Sequence, residues 1–307
     1  AKPRHIVIVP HWTPDGDAMG SSLGLYNYLK KKKHNVTVIT PNDYPAFLFW
    51  MKGNKQVINH QETPDKAARV LKKAEIIFCL DFNDLKRIDK LGKLIEPNEA
   101  VKVMIDHHPQ PSDFAQHSLH TTEASSTCEL IYEFIRLMGD EKLIDRDIAE
   151  CLYAGIMTDT GSFRFPSTTE RTHTIIAKLI GAGARNATVH MSIYDDSTES
   201  RLRLLGFCLS EKLRVLPEYN TAYMTLSSEE HDRFNYVKGD TEGLVNYCLS
   251  IRGIRFAAFF AERDGMIKTS FRSKGSFDVN AFSRENFNGG GHKNAAGGAS
   301  SQTLTET

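Results

Sequence analysis

No apolar run in this chain approaches the ~20 residues that a membrane-spanning helix needs, so no membrane partner is expected. The opening segment AKPRHIVIVPHW is not organised as a secretory signal, and without an initiator methionine it reads as a processed or trimmed N-terminus. Net charge is absent too: 38 Lys and Arg residues balance 38 Asp and Glu residues. That argues against the broad basic face used on long duplex DNA, and leaves open a short anion held by a few local contacts. Cysteine pairing has no signature. The five cysteines, Cys79, Cys128, Cys151, Cys208 and Cys248, are odd in number and show no CxxC spacing. They fit buried free thiols in a reduced, cytoplasmic protein. Internal repeats are missing, and the one biased segment is the glycine-rich GGGHKNAAGG at 289–298.

What the chain does contain is the balance of a globular protein. Its 307 residues are 40% hydrophobic and 25% charged, enough for two domains with their own cores. HIVIVP (5–10), NVTVIT (35–40), EIIFCLDF (75–82) and AVKVMID (100–106) read as strands. Helical patterns lie between them: AMGSSLGLYNYLKKKK, DKAARVLKKA (65–74) and DLKRIDKLGKLI (84–95). Lys30 to Lys33 close the first helix at the negative end of its dipole. Further helical patterns fill 124–138, 145–158 and 169–184. The fold class is therefore α/β. A larger N-terminal domain (1–190) carries a mainly parallel sheet flanked by helices. A helical linker (191–213) leads to a smaller α/β domain with a mixed sheet (214–307), in which the DG turn Asp264–Gly265 forms a hairpin.

Ligands of such sheets bind at the carboxyl ends of the strands, and four polar clusters fall there. PHWTPDGDAMGS supplies His11, Asp15 and Asp17; CLDF supplies Asp81; MIDHHP supplies Asp106, His107 and His108; GIMTDTGSFRF supplies Asp159 and Arg164. Each has an ordinary explanation alone. PDGD is a good turn, Asp81 a plausible helix cap, Asp159 a loop carboxylate. The DHH triplet resists this, because three adjacent titratable groups after an apolar strand need a cation or substrate to organise them.

Together the clusters form a nitrogen–oxygen ligand set without thiolates. Hard or borderline divalent ions suit it, Mn²⁺ best, with Mg²⁺, Co²⁺ or Fe²⁺ allowed. There are too many ligands for one tetrahedral zinc. Two ions about 3.5–4 Å apart, sharing a carboxylate, would use all of them, activate water at neutral pH and stabilise an in-line phosphoryl displacement. The residues point to metal-assisted phosphoester hydrolysis.

HWTPDGDAMGS, LDF, DHH and TDTGSFRF, in that order, resemble the motifs of the DHH phosphoesterase superfamily. The terminal FRSKGSFDVNAFSRENFNGGGHKNAAGG resembles its DHHA1 domain, and the resemblance covers nearly the whole chain. Within the superfamily the size, TGSFRF and GGGHKNAAG are most similar to the nanoRNase/pAp phosphatase (NrnA-like) group. The resemblance implies one metal ion on His11, Asp15 and Asp81, and a second on Asp17, Asp81, His107 and Asp159, with Asp81 bridging. It implies that Asp106 orients a histidine and that His108 contacts the scissile phosphate and assists the leaving group. Arg272 would bind a phosphate bidentately, as lysine could not. Gly289, Gly290, Gly291 and His292 would hold the substrate across a cleft, the glycines letting backbone N–H groups approach an anion. Arg164 would reach the substrate. Ser125 or Ser126 would cap a helix, with the N–H groups there also available to a phosphate. Substrates implied are short single-stranded RNA, cut to mononucleotides, and pAp (3′-phosphoadenosine 5′-phosphate), with no long duplex; a homodimer is compatible.

Alternatives within the superfamily remain at this point. A manganese pyrophosphatase shares the metal motifs but lacks GGGH. A RecJ-like exonuclease carries extra nucleic-acid-binding modules. A phosphodiesterase acting on pApA or c-di-AMP stands closest. A non-enzymatic nucleotide sensor would have lost metal ligands, and none is missing here. No side chain is assigned to stack on a base.

Overall fold

The computed structural model describes residues 2–263 and 265–307. The chain forms two compact units, Ala1–Asp196 and Ser197–Thr307. In the first, the β-branched runs become parallel strands β1 (His5–Pro10), β2 (Asn35–Thr40), β3 (Ile58–Asn59), β4 (Ile76–Leu80), β5 (Val101–Asp106) and β6 (His117–His120). They align in the order β3-β2-β1-β4-β5-β6. The order reverses between β1 and β4, and a doubly wound sheet binds ligands outside the carboxyl ends of the strands at that switch point. His11 follows β1 and Asp81 follows β4, so two of the four clusters flank the crevice.

Strand alternation sorts the core. Ile6 and Ile8 of β1, with Phe78 and Leu80 of β4, pack under α1 (Gly16–Lys31), α4 (Thr127–Leu137) and α5 (Arg146–Asp159). Val7, Val9, Ile77 and Cys79 face the other way, toward α2 (Pro64–Leu71) and α3 (Lys90–Ile95). With both faces covered, the central strands are apolar throughout, as parallel strands usually are. Helices α6 (Glu170–Gly181) and α7 (Asn186–Tyr194) complete the unit. All five cysteines are free and buried.

The helix expected over 84–95 is broken. A 3₁₀ turn, Leu85–Ile88, precedes α3, and Asp89 between them has φ of +48°. Strands β3 and β6 were not expected. They are edge strands of two and four residues, too short to show periodicity.

Helices α1 and α5 approach backbone to backbone. A Cβ on Gly20 would lie 2.5 Å from the Cys151 carbonyl oxygen, and one on Gly155 would meet Cys128 Sγ. This contact matters because α1 carries Asp17 and α5 ends at Asp159.

The second unit begins with α8 (Glu199–Phe207), whose Leu204 joins Cys208 in that unit's own core. Strands β7 (Arg214–Leu216), β8 (Thr221–Leu226), β9 (Phe256–Arg263), β10 (Met266–Ser273), β11 (Gly290–His292) and β12 (Ala295–Ser300) align as β11-β12-β10-β9-β8-β7. Only β8 and β9 are parallel, so the sheet is mixed. Helices α9 (Ser228–Arg233), α10 (Leu244–Ser250) and α11 (Val279–Phe287) accompany it. β9 and β10 form the expected hairpin; Asp264 of its turn lies outside the described residues, while Gly265 has φ of +72°. The glycine-rich tail is sheet: β11 and β12 pair antiparallel, and β12 runs beside β10. Among the described residues no helix is long and apolar enough to cross a membrane.

Gly20→Ala is expected to lower stability by about 1–3 kcal/mol, the cost of overpacking a close contact. Gly181→Ala, which meets nothing within 4 Å, should leave it unchanged or slightly raised. Urea unfolding of the two variants checks the contrast.

Candidate metal centre

Each polar residue after a strand is held by backbone geometry before any ligand is considered. Asp15 caps α1, its Oδ1 accepting from the N–H groups of Asp17 and Ala18, both at 3.0 Å. Asp17, in the first turn of α1, also accepts from the N–H groups of Thr127 (2.6 Å) and Cys128 (2.9 Å) at the start of α4. Two helix N-termini thus converge on one buried carboxylate, the favourable end of both dipoles. Asp81 sits in the left-handed region, φ +64°, a conformation that costs free energy and recurs at functional sites. Thr127 Oγ1 donates to its Oδ1 at 2.9 Å.

The histidines are fixed by their other ring nitrogen. His11 Nδ1 lies 2.8 Å from the Trp12 carbonyl oxygen and His107 Nδ1 3.3 Å from that of Ala124. A carbonyl only accepts, so both Nδ1 atoms carry hydrogen and both Nε2 lone pairs are left for a cation. His11 Nε2 stands 3.5 Å from Asp81 Oδ2 and 3.8 Å from Asp15 Oδ1. His107 Nε2 stands 3.5 Å from Asp81 Oδ1, 3.4 Å from Asp159 Oδ2 and 3.8 Å from Asp17 Oδ2. Ligands about 2.1 Å from one ion lie roughly 3–3.5 Å apart, so this is the spacing of atoms around a shared cation more than of direct hydrogen bonds. The two oxygens of Asp81 face different histidines. His11, Asp15 and Asp81 form one cluster; Asp17, His107 and Asp159 form another.

The electrostatics call for positive charge. Burial raises the Asp17 pKa well above the carboxylate range, and the charges of Asp81 and Asp159 add to it. Burial opposes protonation of His11, yet hydrogen bonds and charges of Asp15 and Asp81 push its pKa up to about 10. His107 is likewise driven well above its ordinary value by Asp81 and Asp159, against the effect of burial. Asp81 is the converse: burial would raise it, but His107 and His11 hold it well below. The donor set fits divalent cations, which would replace the protons that these groups otherwise share.

Beside this centre, His108 is held separately. Its Nδ1 is 2.8 Å from Asp106 Oδ1, and its N–H donates to Asp106 Oδ2 at 3.1 Å. Burial, with the positive charge of Arg87, lowers the His108 pKa well below its ordinary value. Burial and the charge of Asp81 raise Asp106 to about 6.

The other expected site residues are distributed as follows. Arg164 is exposed, and its Nε donates to the Gly161 carbonyl at 2.7 Å in the loop after Asp159. Ser125 is buried and its hydroxyl donates to Glu129 at 2.6 Å, while the neighbouring Ser126 caps α4. In the second unit Arg272 and His292 both pair with Ala295, one on each side, so they share a sheet face across a small residue. Gly291 N–H donates to Asn280 Oδ1 and Gly289 N–H to the Ser283 carbonyl. A Cβ on Gly298 would lie 2.7 Å from Phe287, so close packing on α11 also requires glycine here.

With this geometry established, comparison with known proteins is direct. A model of the DHH family, N-terminal domain, matches residues 5–156, and a DHHA1 domain model matches 219–306. The Bifunctional oligoribonuclease and PAP phosphatase NrnA of Bacillus subtilis is 31% identical, over 95% of this chain and 88% of that protein. This chain belongs to the DHH family. A crystal structure of an exopolyphosphatase-related protein from Bacteroides fragilis shares the fold with a TM-score of 0.94 and 43% identity, over 99% of this chain and 89% of that one. The Cyclic-di-AMP phosphodiesterase PdeA of Listeria monocytogenes is 25% identical over 98% of this chain, which spans 46% of that protein.

Two residues near the DHH triplet were not anticipated. His120, at the end of β6, places Nε2 2.7 Å from the His108 carbonyl oxygen. Arg87 influences Asp106 and His108 electrostatically, and its carbonyl accepts from the Trp12 N–H at 2.7 Å. Neither stands beside a motif; only strand pairing and the 3₁₀ turn bring them in.

His11, with its pKa pushed up to about 10, holds a proton at neutral pH that a cation must displace, and the upward shifts of His107 and Asp17 act in the same sense. Mn²⁺ affinity is therefore expected to fall as pH falls, with proton release measurable by calorimetry in buffers of different ionisation enthalpy. Asp81→Asn should weaken binding at least about 100-fold, since even outer partners of ligands typically cost 10–100-fold.

Proposed function

We propose that this chain is a metal-dependent phosphoesterase that hydrolyses very short RNA oligonucleotides to mononucleotides and removes the 3′-phosphate from pAp. The observation that carries the reading is Asp81, whose two oxygens face two separate histidine–carboxylate clusters. It has the form of a carboxylate shared by two ions. The relationship to the Bacillus subtilis NrnA supports the substrate class.

In this reading His11, Asp15 and Asp81 hold one divalent ion, and Asp17, Asp81, His107 and Asp159 hold the other. Mn²⁺ suits the mixed nitrogen–oxygen set best. Such ions supply Lewis acidity toward a phosphoryl oxygen and toward water. The protein's own part is to hold these ligands rigid and to manage a proton at His108. Hydrolysis forms a bond from water oxygen to phosphorus, breaks the bond to the leaving oxygen, and delivers a proton to that oxygen. At neutral pH Asp106 is ionised and accepts from His108 Nδ1–H, so neutral His108 offers Nε2 as an acceptor. A proton taken up from solvent at Nε2 gives an imidazolium that Asp106 stabilises; this proton passes to the leaving oxygen, and the attacking water releases its own proton to solvent. His120 keeps the backbone of His108 in place. Arg272 and His292, which share a face of the second unit's sheet, bind a substrate phosphate, and Arg164 of the first unit supplies a further cation for one.

Turnover of a 5′-labelled RNA dinucleotide and of pAp with Mn²⁺, abolished by EDTA and by Asp81→Ala, is the expected result. Turnover of c-di-AMP or pyrophosphate alone would move the activity elsewhere in the family. His120→Ala should lower kcat up to about tenfold, the worth of one hydrogen bond, with KM little changed, and His120→Gln should restore part of it.

A further inference from the structure

We infer that Trp12 is a nucleobase-binding platform: the indole at the edge of the metal centre stacks on the base of the nucleotide whose phosphate the centre holds. The inference rests on the phosphoesterase reading and adds a base subsite to it.

Trp12 follows His11 directly, and its carbonyl is the acceptor that orients the His11 ring. Its own N–H donates to the Arg87 carbonyl at 2.7 Å. The next residue, Thr13, has φ of +54°, and its N–H donates to the buried Asn42 side chain at 2.6 Å. The loop is thus clamped on both sides of Trp12. Despite this fixed backbone, the Trp12 residue is 40% exposed. An indole left in water forfeits the burial that tryptophan ordinarily supplies. Phe49 and Tyr194 are also exposed aromatics of this unit, but neither adjoins a residue of the metal centre in the chain. An exposed aromatic ring on a backbone segment that also orients a metal-facing histidine is suited to hold an unpaired nucleotide, because every base has a π-face to stack on. Stacking tolerates any base, which matches a substrate class defined by length and not by sequence.

The test separates base from phosphate by comparing AMP with ribose 5-phosphate, both with Mn²⁺. Trp50, the other tryptophan, is half-buried and its Nε1 has no hydrogen-bond partner, so Trp50→Phe leaves Trp12 as the sole indole, excited selectively over the tyrosines, at small structural cost. In that protein AMP should quench the indole emission and ribose 5-phosphate should not. By calorimetry Trp12→Ala should weaken AMP about 5- to 150-fold, the range of one base–aromatic stack, and leave ribose 5-phosphate unchanged. Trp12→Phe should keep most of the AMP affinity. An unchanged Mn²⁺-induced thermal shift in Trp12→Ala serves as the control for an intact centre. AMP affinity unchanged in Trp12→Ala, or AMP and ribose 5-phosphate weakened alike, would overturn the platform. If the wild type cleaves the dinucleotide while Trp12→Ala binds AMP normally, the platform fails and the hydrolase reading stands. If the wild type cleaves nothing but AMP still binds through Trp12, the hydrolase reading fails and the platform stands.

Discussion

The structure of the first unit depends on gathering four carboxylates around two histidine Nε2 atoms at the carboxyl end of one parallel sheet. Left to themselves these groups repel, and burial makes the repulsion stronger because little solvent screens it. The fold offsets this with fixed partial charges. The α4 N-terminus donates two N–H groups to Asp17, the α1 N-terminus donates two to Asp15, and the Thr127 hydroxyl donates to Asp81. Carbonyl oxygens on the far side of each ring choose the tautomer that points a lone pair inward. What remains uncompensated is the charge that divalent ions bring.

The requirement reaches into the packing. Asp17 and Asp159 belong to different helices, so their spacing is the spacing of α1 and α5, and glycines set it by letting the backbones touch. Asp81 must leave β4 in a left-handed turn for its two oxygens to face both histidines. The strand order places β1 and β4 side by side where the windings diverge, and this opens the crevice the ligands line. The histidine of the DHH triplet that the proposed chemistry uses is held by the same frame. Asp106 ends β5 inside the sheet and holds His108, and His120 on the neighbouring strand holds the backbone of His108 in turn.

Much of this was legible in the residues. The β-branched runs became strands, and the polar residues directly after them lie together, because a parallel sheet delivers strand ends to one edge. The DG hairpin and the helices over 127–137, 146–159 and 170–181 follow from turn chemistry and apolar periodicity. Other features were not legible because tertiary partners create them. β3 and β6 exist only by pairing with a neighbour. His120 and Arg87 matter through contacts with residues distant in sequence. The glycine tail carries too few side chains to reveal that β12 is a strand, and its glycines are needed for close packing on α11, with the Gly289 and Gly291 N–H groups donating to Ser283 and Asn280. The expected helix over 84–95 failed at Asp89, where the backbone turns left-handed.

The most direct test of the account is anomalous diffraction from crystals grown with Mn²⁺. Two peaks within about 4 Å of each other, one beside His11 and one beside His107 with Asp81 between them, are the expected result. A single peak, or two that do not share Asp81, would contradict the bridged centre on which the proposed chemistry rests.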